Sequence, residues 1–394
     1  MAREDEVLKH ITKDMLGVEI GPWHSPLAPK SAGYHCLSLD VLDGPALRER
    51  ARADPNVPDS WVERIEDVDL VGPANLLLDL VAEKGLVGKL DYLVSSHNFE
   101  HIPDPIGFFQ TCGKVLKPEG VISMAIPDRR GSFDFFRPFT TLASWIQAHQ
   151  EKRIRPSYAQ VFEMNTTIAF YRRGDDLDTG MDYLNENPAN FDPHRRLRSE
   201  YTEWMRKIET QDDNYLDTHC SSLTPTVFKL LVSDAYFLGL IPFDILEVSE
   251  TYWAEFYVHL KNRGYAEPVS DNEATRHYET RARLLQEVVN EAGTTSQASF
   301  NLRRESAELQ QANAALKEEL KRLAAENKVE SAIKSSLIEE LEREVAESKV
   351  KSEILKGQID SLQQRVAMLE ASTSWRITAP LRRLVSYSRS MITG

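Results

Sequence analysis

Cysteine is scarce in this sequence, with 3 residues among 394. Cys36, Cys112 and Cys220 are far apart and form no CxxC pair, so they offer no framework for a metal site. An odd number of well-separated cysteines is typical of free thiols in a reducing compartment. We therefore expect a chain that binds no metal.

Positive charge and long apolar runs are also lacking. The net charge is -14, which argues against a general nucleic-acid binder because such proteins present a basic surface. The most apolar stretch, 228–246, contains Lys229, Asp234 and Pro242, and these residues argue against a membrane span. The opening segment MAREDEVLKH is charged and lacks the apolar centre of a secretory signal. These features predict a cytoplasmic protein.

Up to about residue 130, short apolar runs alternate with segments of helical periodicity. The predicted strands are GVEIG, YHCLSLDVLD, DVDLVG, LDYLVSSHNFEHI and VISMAIPD. Strands separated by helices imply a parallel sheet with right-handed crossovers. Further along, FDILEVSE and WAEFYVHLKN suggest a terminal hairpin. We predict an α/β fold with a Rossmann-like, doubly wound, mostly parallel sheet whose last strand is antiparallel.

Roughly a hundred residues of different character separate the two parts of this sheet. They are rich in aromatic residues and arginine and have helical patterning. We expect 131–225 to be a helical insertion, or lid, over the carboxyl edge of the sheet, within a first domain that spans 1–265. Residues 266–299 are predicted to be a polar helix and a linker.

Leucine recurs every seven residues beyond position 300. A first heptad frame runs from Leu302 to Leu323, and a second, offset frame runs from Leu341 to Leu369. This pattern predicts a long α-helical coiled coil over 300–371, which as one rod would extend about 110 Å. A helix this polar requires partner strands, which predicts a homo-oligomer; a charged single helix is the alternative.

The last segment, 372–394, contains four arginines and no acidic residue, with apolar residues between them. It is predicted to be a basic amphipathic tail that docks on a partner protein or on a membrane surface, giving a peripheral position at the inner face of the membrane. A frayed, solvated end is the alternative.

The first predicted strand and its loop, LGVEIGPWHSPL, place an acidic residue, Glu19, two positions before Gly21. A glycine here lets the backbone approach a ligand, but the three-glycine pyrophosphate fingerprint is absent. Asp40 ends the second strand, where an acid accepts hydrogen bonds from both ribose hydroxyls of a nucleoside. Two acids without a phosphate cradle predict a positively charged nucleoside, S-adenosylmethionine. Capping a turn or solvating a strand end is the alternative role of these acids.

Several segments together resemble class I S-adenosylmethionine-dependent methyltransferases of the broad methyltransferase type 11 group, over about 14–262. These segments are VEIGPWHSPL, LSLD, LDYLVSSHNFEHIPDPIGFFQTCGKVLKPEGVISMAIPD and FYVHLKN. The resemblance implies that Glu19 and Gly21 border the methionine moiety and that Asp40 binds the ribose. It also implies that Ser95, Ser96 and His97 line the wall beside the methyl group.

The tail segment SWRITAPLR resembles the ending of many bacterial cell-surface polysaccharide enzymes, glycosyltransferases especially. This second resemblance implies a sugar hydroxyl in a glycan, such as O-antigen, as the acceptor. Within this interpretation, we predict that methylation caps a growing chain.

A hydroxyl acceptor benefits from a base that removes its proton. The candidate bases are His97, His101, His219 and Asp128, and His97, Glu100 and His101 do not form a convincing set of metal ligands. A non-catalytic scaffold that recruits glycosyltransferases is the alternative function. A nicotinamide-dependent dehydrogenase is disfavoured by the missing glycines.

Overall fold

A computed structural model describes residues 3–173, 176–178, 186–212, 214, 216–266, 270–294, 297–326 and 331–371. The chain divides into two compact units, one made of Met1–Glu186 with Asn190–Leu285 and the other of Asn187–Ala189 with Gln286–Gly394. The predicted tail, 372–394, lies outside the described residues.

Ten strands are assigned within the described residues. They are β1 Leu16–Ile20, β2 His35–Asp40, β3 Leu70–Val71, β4 Leu90–Ser96, β5 Leu116–Pro127, β6 Ala169–Arg173, β7 Asp176–Asp178, β8 Phe191–Pro193, β9 Phe243–Val248 and β10 Glu255–Asn262. The helices are α1 Arg3–Val7, α2 Gly44–Ala53, α3 Asp59–Val62, α4 Leu77–Glu83, α5 Pro105–Val115, α6 Leu142–Gln150, α7 Tyr158–Thr167, α8 Leu197–Thr210, α9 Pro225–Phe237, α10 Asp271–Thr294, α11 Gln297–Glu326 and α12 Ser331–Ala371.

The main sheet has seven strands in the order β3-β2-β1-β4-β5-β10-β9. The pairs β1–β2, β1–β4, β2–β3 and β4–β5 are parallel, whereas β10 is antiparallel to both β5 and β9. The predicted doubly wound, mostly parallel sheet with an antiparallel last strand is therefore confirmed. The chain order reverses its direction between β1 and β4, which is where such sheets bind ligands.

Apolar side chains bury the sheet on both faces, as the nearly continuous apolar runs of β1 and β4 require. An aromatic cluster around Phe99 joins the turn after β4 to the neighbouring helices, because its ring contacts Phe109, Trp145 and Phe228. At the start of α5, Asp104 accepts a hydrogen bond from the Gly107 N–H, which caps that helix. The loop that follows β4 is thus attached to a packed core.

The insertion between β5 and α9 is only partly helical, which corrects the prediction for 131–225. Helices α6, α7 and α8 are present, but β7, β6 and β8 form a separate three-stranded antiparallel sheet. The segment IAFYRR lies within the predicted helical insertion, but its alternating large side chains also suit a strand. Phe191 on β8 stacks on Phe135 and also contacts Tyr171, and this packing favours the strand.

In the second unit, α11 and α12 pack against each other. Residues 327–330, which join them, lie outside the described residues, and a connection this short makes the helices antiparallel. The continuous rod expected from the heptads is therefore replaced by two helices that fold back on each other, with Leu355 of α12 buried. Among the described helices, none combines the length and the apolar character needed to cross a bilayer.

Candidate functional site

Glu19 is buried at the end of β1, where its carboxylate holds the following loop. The Leu27 N–H donates to Oε1 at 2.7 Å and the Ala28 N–H donates to Oε2 at 3.0 Å. Burial raises the pKa of Glu19 to about 7 despite these two hydrogen bonds. In the structure this acid therefore shapes the loop, which is the turn-capping role. Its contact with the methionine moiety stays a prediction.

Gly21 follows β1 and Asp40 ends β2, so both residues lie at the carboxyl edge of the sheet. The Gly21 N–H donates to the Leu39 carbonyl at 2.8 Å, and its φ of +68° favours glycine. The Val41 N–H donates to Asp40 Oδ1 at 2.7 Å, and burial raises the pKa of Asp40. Asp40 thus directly follows Leu39, the residue of β2 that is hydrogen-bonded to Gly21.

Ser95 and Ser96 end β4 at the same edge, because Ser95 is paired with Ile20 in the sheet register. Three buried polar atoms around this edge lack a hydrogen-bond partner among the described residues, namely Ser96 Oγ, Asn98 Oδ1 and Trp23 Nε1. Asn98 is also the nearest side chain to Gly21, since a Cβ built there would lie 3.8 Å from its Nδ2. Buried polar atoms without partners are rare in proteins and fit a polar ligand that supplies the missing hydrogen bonds.

His97 directly follows β4 and forms a hydrogen-bonded pair with Glu255, the first residue of β10. His97 Nε2 lies 2.7 Å from Glu255 Oε2, and the same carboxylate accepts hydrogen bonds from Arg3 and Tyr257. Burial by itself would raise the pKa of Glu255, but the hydrogen bonds from His97 and Arg3 outweigh it and lower this pKa to about 2. The carboxylate is therefore ionised, and it fixes the orientation of a half-buried imidazole.

Asp128, predicted as a candidate base, is fully buried and its oxygens are occupied. Arg130 donates to Asp128 from Nε at 3.0 Å and from Nη2 at 2.6 Å, and the Thr251 hydroxyl donates at 2.5 Å. The Arg130 N–H donates to Oδ1 as well. The Asp128 carboxylate is thus bound by Arg130 and Thr251 inside the fold, and these contacts favour a structural role over the predicted role of base.

His219 lies in the segment before α9 and is brought next to the turn after β4. Its Nδ1 lies 2.5 Å from Asp134 Oδ2, and its ring contacts the ring of His101 with centroids 4.6 Å apart. The carboxylate of Glu100 lies beside both rings, with Oε1 3.7 Å from His101 Nε2 and 4.0 Å from His219 Nε2. The sequence predicted these two histidines as separate candidate bases, and the structure places them in one cluster.

The sequence prediction missed Asn98, Asp134 and Glu255 as residues of the site. Asn98 carried a signal, because it follows His97 in the same predicted turn. Asp134 and Glu255 carried none, since their histidine partners are far away in the sequence and no local periodicity connects them.

A cavity of about 690 Å³ opens beside the loop after β1. It is lined by residues of 25–31 and 63–67 together with Glu4 and Arg48, and by none of the strand-end residues described above. The candidate site is therefore identified from its side chains and not from this cavity.

No protein-family model matches the sequence, and no curated protein matches it with significance. Among solved structures, a methyltransferase described as S-adenosylmethionine-dependent from Methanosarcina mazei is 14% identical, covering 66% of this chain and 97% of that one, with a TM-score of 0.31. One from Aquifex aeolicus is 12% identical over 66% and 89% of the two chains, with a TM-score of 0.30.

A chain from Galdieria sulphuraria, provisionally named a sarcosine dimethylglycine methyltransferase, is 19% identical with a TM-score of 0.23. That match covers 32% of this chain and only 45% of the other, less than half of its length. TM-scores this low assign neither a fold nor an activity, so the fold described here rests on the strand order of the main sheet.

Proposed function

We propose that this protein transfers the methyl group of S-adenosylmethionine to a hydroxyl acceptor. The observation that carries the proposal is the set of partnerless polar atoms, Ser96 Oγ, Asn98 Oδ1 and Trp23 Nε1, around Gly21 and Asp40. These groups fit a nucleoside with hydroxyls and an amino acid portion, whereas a pyrophosphate would lack its glycine cradle. When bound, the sulfonium supplies an activated methyl group.

In this proposal His97 is the base that accepts the proton of the acceptor hydroxyl. An ionised Glu255 can only accept, so Nε2–H is the donor in this pair, and Nδ1 is the nitrogen left to take the acceptor's proton. Its side chain is 27% exposed, so an acceptor can reach it, while the side chain of His219 is only 5% exposed. Because Glu255 also binds Arg3 and Tyr257, its position is fixed, and His97 is oriented before the acceptor arrives.

We extend the proposal to a sugar hydroxyl in cell-surface polysaccharide as the acceptor, with methylation capping the chain. The support is the tail segment SWRITAPLR, which lies outside the described residues. The proposal includes self-association through α12, because Leu362, Val366 and Met368 expose apolar side chains on this helix. Partner proteins or a membrane surface remain the proposed targets of the tail.

The proposal is tested by titrating the full chain with S-adenosylmethionine in a calorimeter. We expect Asp40→Ala to weaken binding about ten-fold to a hundred-fold, the equivalent of one charge-assisted hydrogen bond. Asp14→Ala, which removes an exposed acid before β1, serves as the matched control and keeps wild-type affinity. Absence of binding at millimolar ligand, or equal affinity in Asp40→Ala, contradicts the proposal.

A second measurement addresses the acceptor. Deuterated methyl groups supplied through methionine should appear in the surface polysaccharide of the source cells, and deletion of the gene should remove that label. Unchanged labelling in the deletion strain contradicts a glycan acceptor while leaving the calorimetric result intact. A non-catalytic scaffold would give the same labelling for wild type and Asp40→Ala.

A further inference from the structure

Three potential metal ligands from two distant segments converge next to the carboxyl edge of the main sheet. Glu100 and His101 belong to the short helical turn Phe99–His101, and His219 lies before α9. Their ligand atoms all lie within 4.8 Å of one another. The two segments are attached through the backbone, because the N–H groups of Cys220 and Ser221 both donate to the Glu100 carbonyl. The cluster is thus held by main-chain as well as side-chain contacts.

A second carboxylate lies beside each histidine, and it orients His219 through a hydrogen bond. His219 Nδ1 is hydrogen-bonded to Asp134 Oδ2 at 2.5 Å, whereas His101 Nδ1 lies 2.9 Å from Asp217 Oδ1 in an ion-pair contact without hydrogen-bond geometry. A carboxylate on Nδ1 keeps the proton on that nitrogen and leaves the Nε2 lone pair free. In both rings it is Nε2 that lies beside Glu100. This carboxylate–histidine arrangement is the one that orients histidine ligands in metal sites.

Glu100 has the environment of a carboxylate that needs a cation. The residue is 1% exposed, and its Oε2 has no hydrogen-bond partner among the described residues. The nearest cationic or polar nitrogens, on His97, His101 and His219, lie 3.7–4.0 Å from Oε1, beyond hydrogen-bond distance. A buried carboxylate without such compensation is costly, and a bound cation removes that cost.

We propose that Glu100, His101 and His219 bind a divalent transition-metal ion, with Zn²⁺ the best match to two imidazoles and one carboxylate. Tetrahedral zinc places its ligand atoms about 3.3 Å apart, so binding draws the three side chains slightly together. Three protein ligands leave one coordination position open, as in catalytic zinc sites. If the proposed function holds, that position is available to the acceptor hydroxyl, since His97 Nδ1 lies 3.8 Å from Glu100.

A second cluster of metal-ligating residues, His10, Glu247 and His259, provides an internal comparison. There the Lys9 ammonium lies 2.6 Å from Glu247 and already neutralises it. His259 Nδ1 is hydrogen-bonded to the Ser123 hydroxyl at 2.8 Å, so one of its nitrogens is occupied by an uncharged partner. This cluster lacks the outer carboxylates, and we expect it to bind metal weakly or not at all.

The test uses the full chain, stripped with a chelator and then titrated with Zn²⁺ and with Co²⁺ in the absence of any nucleoside. We expect one ion per chain, a visible Co²⁺ absorption band typical of tetrahedral coordination, and thermal stabilisation by the ion. Asp217→Asn should weaken binding about 10–100-fold, since it removes only an outer partner. His101→Asn and His219→Asn should weaken binding further, and His10→Asn, the matched control, should bind like wild type.

Asp217 is 79% exposed, so Asp217→Asn folds even if His219→Asn does not, and circular dichroism verifies the fold of each variant. The proposal is overturned if the wild type binds neither ion below millimolar concentration, or if His101→Asn and Asp217→Asn bind as tightly as wild type. If only His10→Asn lost binding, the ion would belong to the cluster of His10, Glu247 and His259, and the proposal would also be overturned. Because no nucleoside is present, none of these results depends on the proposed methyl transfer.

Discussion

His97 Nε2 lies 2.7 Å from Glu255 Oε2, which joins the residue after β4 to the first residue of β10. The strand order explains the contact, because β5 lies between these strands and the antiparallel β10 begins at the edge where β4 ends. The same carboxylate accepts from Arg3 Nε at 2.8 Å and from the Tyr257 hydroxyl at 2.8 Å. His97 is therefore oriented by an anchored anion.

We predict that Glu255→Gln lowers methyl transfer strongly and leaves S-adenosylmethionine affinity unchanged. A glutamine amide can donate to His97 Nε2 and so place the proton on Nδ1, the nitrogen proposed to act as the base. The loss should approach the whole contribution of a general base, about 10²–10⁴-fold. Transfer is measured as deuterated methyl incorporation into polysaccharide of a complemented deletion strain, and affinity by calorimetry.

Tyr257→Phe is the matched control for this variant, because it removes another hydrogen bond to Glu255 but keeps the contact with His97. Its transfer should stay near that of the wild type. Wild-type methyl transfer by Glu255→Gln would show that His97 is not the base. An equal loss of transfer in Glu255→Gln and Tyr257→Phe would show the same.

A second prediction concerns the pH dependence of stability through Glu19. Burial raises its pKa from 4.5 to about 7 in the folded chain, so between these values the folded chain keeps a proton that the unfolded chain releases. Stability therefore falls as pH rises through this window, by about 3 kcal/mol for this one group. Glu19→Gln cannot titrate, and its single amide oxygen cannot serve both Leu27 and Ala28, so it starts less stable.

Urea unfolding of wild type and Glu19→Gln from roughly pH 5 to roughly pH 8 measures this effect. The stability difference between the two proteins should shrink as pH rises. Glu63→Gln changes an exposed acid that does not contribute to the raised pKa of Glu19, and it serves as the control, with no such trend expected. Parallel curves for wild type and Glu19→Gln would show that Glu19 is ionised throughout.

The sequence was sufficient to predict the main sheet, because β1, β2, β4 and β5 are apolar runs separated by helical segments. It also located Gly21, Asp40 and Ser95 at one edge, since parallel strands end on the same side. The sequence alone could not predict which carboxylates pair with the histidines. Contacts such as His97 with Glu255 or His219 with Asp134 join distant segments, and only the path of the chain through the insertion brings them together.

Two other differences have similar physical causes. Residues after α7 have propensities for both strand and helix, and packing of Tyr171 and Phe191 favours the strand. Heptad repeats indicate that a helix packs against another helix, but they do not specify whether the partner belongs to the same chain. In this protein α11 and α12 satisfy part of that requirement within one chain.

Asp128→Asn is predicted to destabilise the fold while leaving the chemistry of correctly folded protein intact. The variant removes the negative charge that Arg130 binds through Nε and Nη2 in a fully buried environment. Breaking a buried ion pair typically costs about 3–5 kcal/mol, and the retained amide oxygen should place this variant near the lower end. Urea unfolding measures the loss, and Thr251→Val, which keeps the ion pair, should lose less. Wild-type stability combined with absent methyl transfer would restore Asp128 as a base.

The last prediction concerns self-association through α12. Leu362 and Val366 fall in the heptad frame yet are 43% and 40% exposed, whereas Leu355, in the same frame, is 8% exposed. An apolar heptad side chain left open after α11 has packed is the surface that a second copy would cover. The double variant Leu362→Asp, Val366→Asp should therefore sediment as a monomer, while the wild type sediments as an oligomer. Gln364→Asp, the control, adds a charge to the same segment at a position outside the heptad frame, and it should keep the oligomeric state of the wild type. A wild type that sediments as a monomer would contradict association through this helix.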